Sequence, residues 1–285
     1  MQARVDIEAR EANDGLSSGF RAALSNYYER RWLVLYLARR QLFAGYQGSF
    51  LGVAWAFLTP LLLVVLYTLI FSEIIGIRFR DVEGDNSLNF GLYLYCGLLP
   101  FLAFSEALNR SAAMIKSNSQ YVKNLVFPTE VLPLSTTLGT LVDKLFGFVV
   151  LAGVLLFLEG RLNWTLVLVP VLMGLQMIFV LGLSYIFATL GALVPDIRST
   201  LQAVVRVMFF ATPIIWPVSQ VPDHLSWVVT INPLAFLVEA YRGIVLEGTL
   251  PPLWHTGVFA LFSVALLVGG LALFLKVKPR FADLV

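Results

Sequence analysis

Two pairs of charged residues interrupt apolar stretches of this sequence and are its first candidates for chemistry. Glu239 and Arg242 lie three residues apart in INPLAFLVEAYRGIVLEG, residues 231–248, so a helix would place them on one face as an ion pair. Such a pair could hold an opening closed, or could only make a short helix more soluble. Asp143 and Lys144 are adjacent and should point to different helix faces, so we expect no close pairing between them. They could relay protons, or pair with a neighbouring helix or a second protomer.

The other reactive residue types suggest no catalytic or metal site. His224 and His255 are far apart in the sequence, and the single Cys96 lies in an apolar run, which excludes a disulfide within one chain. The acidic string RDVEGDNS is interpreted as a solvated turn rather than as the carboxylates of a transferase; its acids are Asp81, Glu83 and Asp85. The motif G-x-x-x-x-G-K-[ST] does not occur, so the chain has no P-loop for nucleotide phosphates.

The composition indicates an integral membrane protein. Hydrophobic residues make up 58% of the 285 residues and the mean hydropathy is +0.80, which is too apolar for one soluble core. The net charge of +2 is too small to indicate nucleic-acid binding. The first 49 residues are polar without an apolar core segment, so we expect no cleavable signal peptide and an N-terminus that stays in the cytoplasm.

Apolar runs of the length that a spanning helix needs, about 20 residues, are frequent. We therefore predict an all-α integral membrane protein whose membrane domain, 49–276, has six transmembrane helices. The predicted spans are 50–72, 88–105, 131–158, 162–195, 201–216 and 248–275. The third contains Asp143 and Lys144, and the fifth is short and contains Arg206, so both need protein neighbours to shelter their charges.

The distribution of basic residues supports this count. If the odd-numbered spans run outward, fifteen of the 20 Lys and Arg residues fall in inside segments, four fall outside, and Lys144 is buried. Inside loops of membrane proteins carry such an excess. We therefore expect both termini in the cytoplasm, including the polar tails 1–25 and 277–285, and segment 217–248 on the outside.

A helix at the cytoplasmic membrane surface is predicted for 26–48. Aromatic and apolar side chains fall near one helical face, namely Tyr28, Trp32, Leu35, Tyr36 and Phe43. The arginines and Gln41 lie largely elsewhere, a pattern that is typical of helices lying in the membrane interface. This helix could anchor the chain to anionic lipid, and it could also bind a cytoplasmic partner.

The loop after the second span predicts a short surface helix at about 111–125. Ile115 and Val122 recur at helical spacing, Lys116 and Lys123 are expected to face water, and Pro128 ends the helix. The helix could bind a partner or could be an ordinary connector.

Segment 217–248 predicts a re-entrant hairpin at the outer mouth of a conduit. Prolines end the fifth span, and Pro233, capped by Asn232, can begin a second helix that is too short to cross the membrane. Irregular backbone at this depth is tolerated only where it is buried in protein or lines a cavity.

Three strings carry a resemblance to a known family: YQGSFLGVAWAFLTPLL entering the first span, NLVFPTEVLPLS entering the third, and NPLAFLVEAYRG before the sixth. In this order they resemble the permease subunit of type-2 ATP-binding-cassette exporters, most closely those for O-antigen, teichoic acid or capsule polysaccharide. The resemblance covers nearly the whole chain after about Ser25. One departure is VPDIRS, where Pro195 stands before Asp196 at a place that is often basic in the family, and the arginine is Arg198. This turn is therefore given no role.

The resemblance implies a homodimer in the bacterial inner membrane, with one separate P-loop ATPase docked on each permease in a 2:2 complex. ATP and Mg²⁺ then belong to the ATPase, and this chain binds no cofactor or metal. The implied cargo is a lipid-linked glycan. The implied docking residues lie on the surface helix and the loop helix: Arg30, Arg31, Arg39, Arg40, Ile115, Lys116, Val122 and Lys123.

A conduit for polysaccharide should be lined by aromatic rings and hydrogen-bonding groups rather than by fixed charges. The candidate lining residues are Tyr67, Tyr93, Tyr95, Phe209 and Phe210. The candidate residues of the outer gate are Trp216, Phe236, Glu239, Tyr241 and Arg242. A drug or lipid exporter of the same fold is the main alternative, because fold does not determine cargo. A proton-driven secondary transporter is a weaker alternative, since we find no internal repeat between the halves.

Overall fold

Helices account for all of the regular structure in the residues that the computed structural model describes, namely 27, 29–74, 88–123, 127–160 and 162–284. Several predicted features lie outside these residues: the tail 1–25, residues 26 and 28 of the surface helix, 124–125 of the loop helix, and the acidic residues 81, 83 and 85. The prediction of an all-α membrane protein is confirmed.

Ten α-helices follow one another in this part of the chain. They are α1 (Arg31–Ala44), α2 (Trp55–Tyr67), α3 (Leu88–Ser117), α4 (Ser119–Val122), α5 (Val131–Glu159), α6 (Val169–Leu193), α7 (Ile197–Ala211), α8 (Ser226–Ile231), α9 (Pro233–Arg242) and α10 (Leu253–Val277). Two π-helical segments, Thr68–Ile74 and Gly243–Glu247, continue α2 and α9. A 3₁₀ turn, Lys278–Asp283, follows α10 and is called the C-terminal turn below.

Among the described residues, five helical segments are long and apolar enough to cross a membrane: Gly52–Phe71, Phe90–Ser117, Val131–Leu158, Trp164–Leu193 and Leu253–Asp283. The pair Asp223–Ile231 and Pro233–Glu247 would make a sixth, but it is bent by 89°. Five of the six predicted spans are therefore found, the third with the predicted limits and the other four with shifted ends. The re-entrant path of 217–248 stays a prediction, because a bent pair of this kind also occurs as a broken span.

The fifth predicted span, 201–216, was wrong in its limits. Helix α7 begins earlier, at Ile197, and ends at Ala211, and its 15 residues extend only about 22 Å, short of a hydrocarbon core of about 30 Å. Thr212 already has extended backbone, at φ −96° and ψ 139°. The cause is Pro213, because a proline disfavours the helical conformation of the residue before it.

Helix α3 continues well beyond the predicted end of the second span at residue 105. The first charged residue, Glu106, does not end it, because Glu106 and Arg110 form an ion pair one turn apart on the helix surface. Ile115 and Lys116 therefore belong to the end of α3. The separate helix of the predicted 111–125 segment is only α4, Ser119–Val122.

Close backbone contacts join α3, α6 and α10 into the centre of the bundle. A Cβ atom on Gly182 of α6 would lie 2.6 Å from the Leu266 carbonyl carbon of α10, and one on Gly191 would overlap the Ala112 carbonyl oxygen of α3. Small residues allow helices in membranes to approach this closely. In contrast, only 17% of the apolar stretch that contains α2 is buried within the chain, against 78% of the apolar stretch of α3. One face of α2 is thus left for lipid or for a second copy of the chain.

The glycine contacts predict which substitutions destabilise the bundle. Gly182→Ala should lower the free energy of unfolding by about 1–3 kcal/mol, because the new methyl group would force α6 and α10 apart. Gly269→Ala is the matched control, since a Cβ there meets no atom within 4 Å. Thermal unfolding of the purified protein in detergent measures both. Equal midpoints for the two variants would contradict the close-contact argument.

Candidate functional site

Helix α9 begins where the sequence predicts. Pro233 occupies its first turn, where the missing N–H is not needed, and the Asn232 side chain accepts a hydrogen bond from the Leu234 N–H at 3.0 Å. The Asn232 amide also donates to the Thr212 hydroxyl at 2.9 Å. The start of α9 is therefore fixed to the end of α7.

Arg242, at the other end of α9, is a buried polar anchor. Its side chain is 1% exposed, and its guanidinium group donates to the Pro213 and Ile214 carbonyl oxygens in the turn after α7. It also donates to the hydroxyl of Tyr93 on α3 at 2.9 Å and lies over that ring, 3.5 Å from the centroid. A guanidinium group can satisfy several acceptors at once, so Arg242 compensates the carbonyl groups freed where α7 ends.

A second buried connection starts from Tyr241. Its hydroxyl donates to the Gln176 side-chain oxygen on α6 at 2.9 Å, and the Gln176 amide donates to the Pro100 carbonyl oxygen on α3 at 2.8 Å. Gln176 and Tyr241 are both buried, and Phe148 stacks on the Tyr241 ring at 4.8 Å. The last turn of α9 is therefore joined to α6 directly and to α3 through Gln176.

These contacts revise the predicted gate. The ion pair between Glu239 and Arg242 is present, with 2.8 Å between Oε1 and Nη1. However, Tyr241 and Arg242 lie in the core and line no opening in this structure, because their other partners are buried backbone and side-chain groups. Trp216, Phe236 and Glu239 are partly exposed, and a gating role for these three residues stays a prediction.

The candidate lining aromatics divide in the same way. Tyr95 is 1% exposed and belongs to the core, so its assignment to the lining is wrong for this structure. Tyr67 and Phe209 are half-buried, and Tyr93 is covered by Arg242. Phe210 projects from α7 with 69% of its surface exposed. For these four residues the lining role stays a prediction.

At the opposite end of the bundle, a polar groove runs between α1 and the facing parts of α3 and α5. Three adjoining cavities of about 650, 350 and 160 Å³ form it, and Gln41 lines all three. Most of the other lining groups are amides, hydroxyls and charged side chains, including Asn109, Arg110, Asn118, Thr136 and Arg198. The Asn109 side-chain oxygen is buried without a hydrogen-bond partner among the described residues. The groove is therefore suited to hydrogen-bonding ligands or polar protein segments.

A partly buried ionic cluster lies at the inner wall of this groove. The Lys144 ammonium group contacts the Asp143 carboxylate at 2.6 Å and the Glu106 carboxylate of α3 at 2.8 Å. The expectation that Asp143 and Lys144 do not pair was wrong, because the long Lys side chain reaches back to its neighbour's carboxylate. The alternative of pairing with a neighbouring helix is confirmed by Glu106.

Tyr46 completes the cluster from the segment after α1. Its hydroxyl donates to the other Asp143 carboxylate oxygen at 2.6 Å. Burial is the main cause that raises the pKa of Tyr46, and the hydrogen bond to the negatively charged Asp143 raises this pKa further. Tyr46 therefore remains a neutral donor that holds the segment after α1 against α5.

Most of the predicted docking residues are surface groups, and their docking role stays a prediction. Arg31, Arg39, Arg40, Lys116 and Lys123 are exposed, and Arg30 is half-buried. Ile115 and Val122 are 1% and 6% exposed, so they pack inside this chain and cannot form a docking surface. The regular apolar spacing that suggested contact with a partner marks instead the side of α3 and α4 that faces the bundle.

Helix α1 packs one face against the bundle and leaves its other side chains exposed. Val34 and Ala38 are buried, and a Cβ on Gly139 of α5 would lie 3.0 Å from the Ala38 carbonyl oxygen. Trp32, Leu35 and Tyr36 are exposed, which agrees with a helix whose aromatic face meets the membrane interface. Arg40 donates to the Tyr121 hydroxyl at 3.2 Å and so connects α1 to α4 across the groove.

Several residues of this end were missed in the sequence. Gln41 and Asn109 carry no charge and fit no motif, so no signal distinguished them. Tyr46 and Glu130 stand inside two of the strings that carry the family resemblance, and their positions there were the only sign of their importance.

A bundle of helices of membrane-spanning length, with irregular buried backbone before the last of them and a basic surface at the opposite end, is the architecture of a multi-span membrane protein. Residues 33–246 match the family described as ABC-2 type transporter, and the chain belongs to this family. It is 31% identical over 262 residues to the O-antigen export system permease protein RfbA of Myxococcus xanthus, covering 90% of this chain and 96% of that protein. It is 30% identical to RfbA of Klebsiella pneumoniae, covering 89% and 95% of the two chains. It is 27% identical to the polysialic acid transport protein KpsM of Escherichia coli, covering 80% and 86%.

The burial of Arg242 predicts a large effect of its removal. Arg242→Met should lower the free energy of unfolding by about 3 kcal/mol or more, because it leaves the Pro213 and Ile214 carbonyl groups and the Tyr93 hydroxyl without their donor. Arg280→Met, at an exposed arginine, is the control and should change stability by less than about 0.5 kcal/mol. Thermal unfolding in detergent distinguishes the two, and a small effect at Arg242 would show that the anchor contributes little.

Proposed function

We propose that this chain is the membrane-spanning permease of an ATP-driven exporter that moves a lipid-linked polysaccharide of the O-antigen, teichoic acid or capsule type across the plasma membrane. The observation that carries the proposal is the similarity, over 80% to 90% of the chain, to permeases named for O-antigen export and polysialic acid transport. Both named cargoes are glycans, and the similarity extends over almost the full length of those permeases. A shared fold alone would not identify the cargo class.

The energy for export comes from a separate subunit. The sequence has no P-loop, so ATP and Mg²⁺ are held by an ATPase partner, and this permease performs no catalysis of its own. We propose two permeases and two ATPases per complex. Exposed apolar faces support the pairing of two copies: α2 presents Leu62 and Val65, and α7 presents Val207 and Phe210. Among the described residues nothing covers these faces, so lipid or a second protomer must do so.

The ATPase docks on the end of the bundle where α1 and α4 lie. Five basic residues are exposed there: Arg31, Arg39 and Arg40 on α1, Lys116 at the end of α3, and Lys123 directly after α4. A basic surface favours a partner with a complementary acidic surface and increases the rate of encounter. The excess of basic residues also supports a cytoplasmic location of this end, and therefore cytoplasmic termini.

Movement at this end can reach the membrane domain through the polar contacts of the groove. Helix α1 packs on α5, and the ionic cluster connects the segment after α1 with α3 and α5. In the proposed mechanism, closure of the ATPases displaces these helices, widens the interface between the permeases and releases the gate formed by Trp216, Phe236 and Glu239. The buried contacts of Tyr241 and Arg242 would hold the last turn of α9 in place while the gate opens.

Native mass spectrometry of the complex, purified in mild detergent from its host, tests the proposed function. We expect two copies of this chain, two of a P-loop ATPase, and a bound lipid-linked glycan. The same assembly with only small amphiphiles bound would make the chain a drug or lipid exporter. A chain without any ATPase would contradict the proposal and favour a secondary transporter.

Charge reversal on the docking surface should uncouple the two subunits. Lys116→Glu combined with Lys123→Glu should reduce polysaccharide export by about tenfold or more, since repulsion at a charged contact weakens the complex. The permease should still fold, because both side chains are exposed. Asp223→Lys, at an exposed position of the opposite end, is the control. Surface labelling of the glycan measures export, and unchanged export in the double variant would contradict the docking assignment.

A further inference from the structure

The C-terminal turn (Lys278–Asp283) folds back onto the connection between α4 and α5. The Lys278 ammonium group contacts the Glu130 carboxylate at 2.6 Å. Glu130 is 1% exposed and stands immediately before α5, whereas the Lys278 side chain is about one-third exposed. A carboxylate this deeply buried requires compensation of its charge, and Lys278 supplies the ammonium group.

Glu130 is also held through its backbone. The hydroxyl of Tyr185, a fully buried residue of α6, donates to the Glu130 carbonyl oxygen at 2.9 Å. The Tyr27 hydroxyl, which lies before α1, is hydrogen-bonded to that of Tyr185. One residue of the loop is therefore fixed from both sides, by the C-terminal turn and by a central spanning helix.

Apolar contacts join the same elements. Phe281 of the C-terminal turn is 1% exposed and packs edge-on against Phe274 of α10, at 5.0 Å between ring centroids. Phe274 in turn packs edge-on against Tyr185 at 5.2 Å. Ile115 at the end of α3 and Val122 of α4 belong to the same apolar cluster. The C-terminal turn thus fills the space between the loop and the last span.

The spans on which the turn rests are held firmly together. Gly182 and Gly270 let the backbones of α6 and α10 touch, and Gly191 brings α6 equally close to α3. Closely packed interiors transmit displacement rather than absorb it. A push on α4 would therefore pass through Phe281 and the ion pair between Lys278 and Glu130 into α6 and α10.

We propose that the C-terminal turn is a positioning element that couples the loop carrying α4 to the rigid pair α6 and α10, with Lys278 and Glu130 as its positioning residues. The inference rests on the proposed function, since it assumes that an ATPase acts on α4. It adds a second route for the movement beside the contact of α1 with α5. The first route ends on α5, and the second ends on α6 and α10. Both contacts must therefore be intact for a displacement at this end to move all three spans together.

Substitution of Lys278 tests the proposal in the intact complex. We expect Lys278→Met to reduce export at least about fivefold while ATP hydrolysis by the complex stays within about twofold of the wild type, so that more ATP is consumed per exported glycan. Lys278→Arg keeps the charge and should retain export. Lys276→Met removes an exposed lysine from the same end of α10 and should also leave export unchanged.

The double variant Glu130→Gln with Lys278→Met separates coupling from stability. It removes the buried charge together with its partner, so the unfolding midpoint should return toward that of the wild type even if Lys278→Met alone accumulates poorly. Under the proposal the double variant is stable but still exports poorly, because the connection is missing. Restored export in the double variant would overturn the proposal, since the pair would then serve only to neutralise Glu130.

The same experiment distinguishes this inference from the proposed function. A wild-type chain that neither associates with an ATPase nor exports glycan would remove the proposed function, and the inference with it. Wild-type export that depends on ATP, together with normal export in Lys278→Met, would overturn the inference alone.

Discussion

The burial of the Arg242 guanidinium is the interaction on which the half of the bundle around α9 depends. A chain that breaks its helix inside a membrane exposes carbonyl groups for which lipid offers no donor. Pro213 forces such a break after α7, and Arg242 supplies donors to the carbonyl oxygens of residues 213 and 214 from a helix nearly thirty residues later. Its contact with Tyr93 then fixes α9 against α3, and Gly97 provides the space, because a Cβ there would lie 2.7 Å from Arg242 Nη2. Arg242 satisfies two carbonyl groups of the turn after α7, and the side chains of Trp216 and Asn232 donate to the carbonyl oxygens of Phe210 and Ala211 at the end of α7.

The two ends of the bundle differ in how their charged side chains are compensated. At the end of α9 the ion pair is incidental to a network of neutral acceptors around one cation. At the end of α1 the charges compensate one another: Lys144 lies between two carboxylates, and Lys278 meets Glu130. The side chains of the cluster around Lys144 keep 17% to 31% of their surface exposed, whereas the Arg242 side chain is 1% exposed. The half-buried charges and the open polar groove are therefore concentrated where a cytoplasmic subunit is proposed to act.

The sequence predicted correctly the features that depend on the bilayer or on residues adjacent in sequence. It mispredicted features that depend on packing between parts that are distant in sequence. Apolar runs identified five spans, because their burial in lipid depends on composition alone. The capping of α9 by Asn232 and Pro233 was also predictable from the sequence, since it involves adjacent residues. The same reasoning assigned Ile115 and Val122 to a partner, although they face their own bundle, because periodicity reveals an apolar face without saying what covers it. It also separated Asp143 from Lys144, since helical spacing locates Cβ atoms and not the ends of long side chains.

The sequence by itself determined the class of this protein: an all-helical membrane chain without a nucleotide-binding loop, with basic residues concentrated at one end and three strings in a family-specific order. Only the tertiary structure decided which polar residues are anchors and which are accessible. Arg242 and Arg40 are the same residue type near helix ends, yet one is enclosed by carbonyl groups from a distant turn and the other meets water and Tyr121. The physical reason is that burial and hydrogen bonding are set by residues far apart in the chain, and a one-dimensional pattern carries no record of these distances.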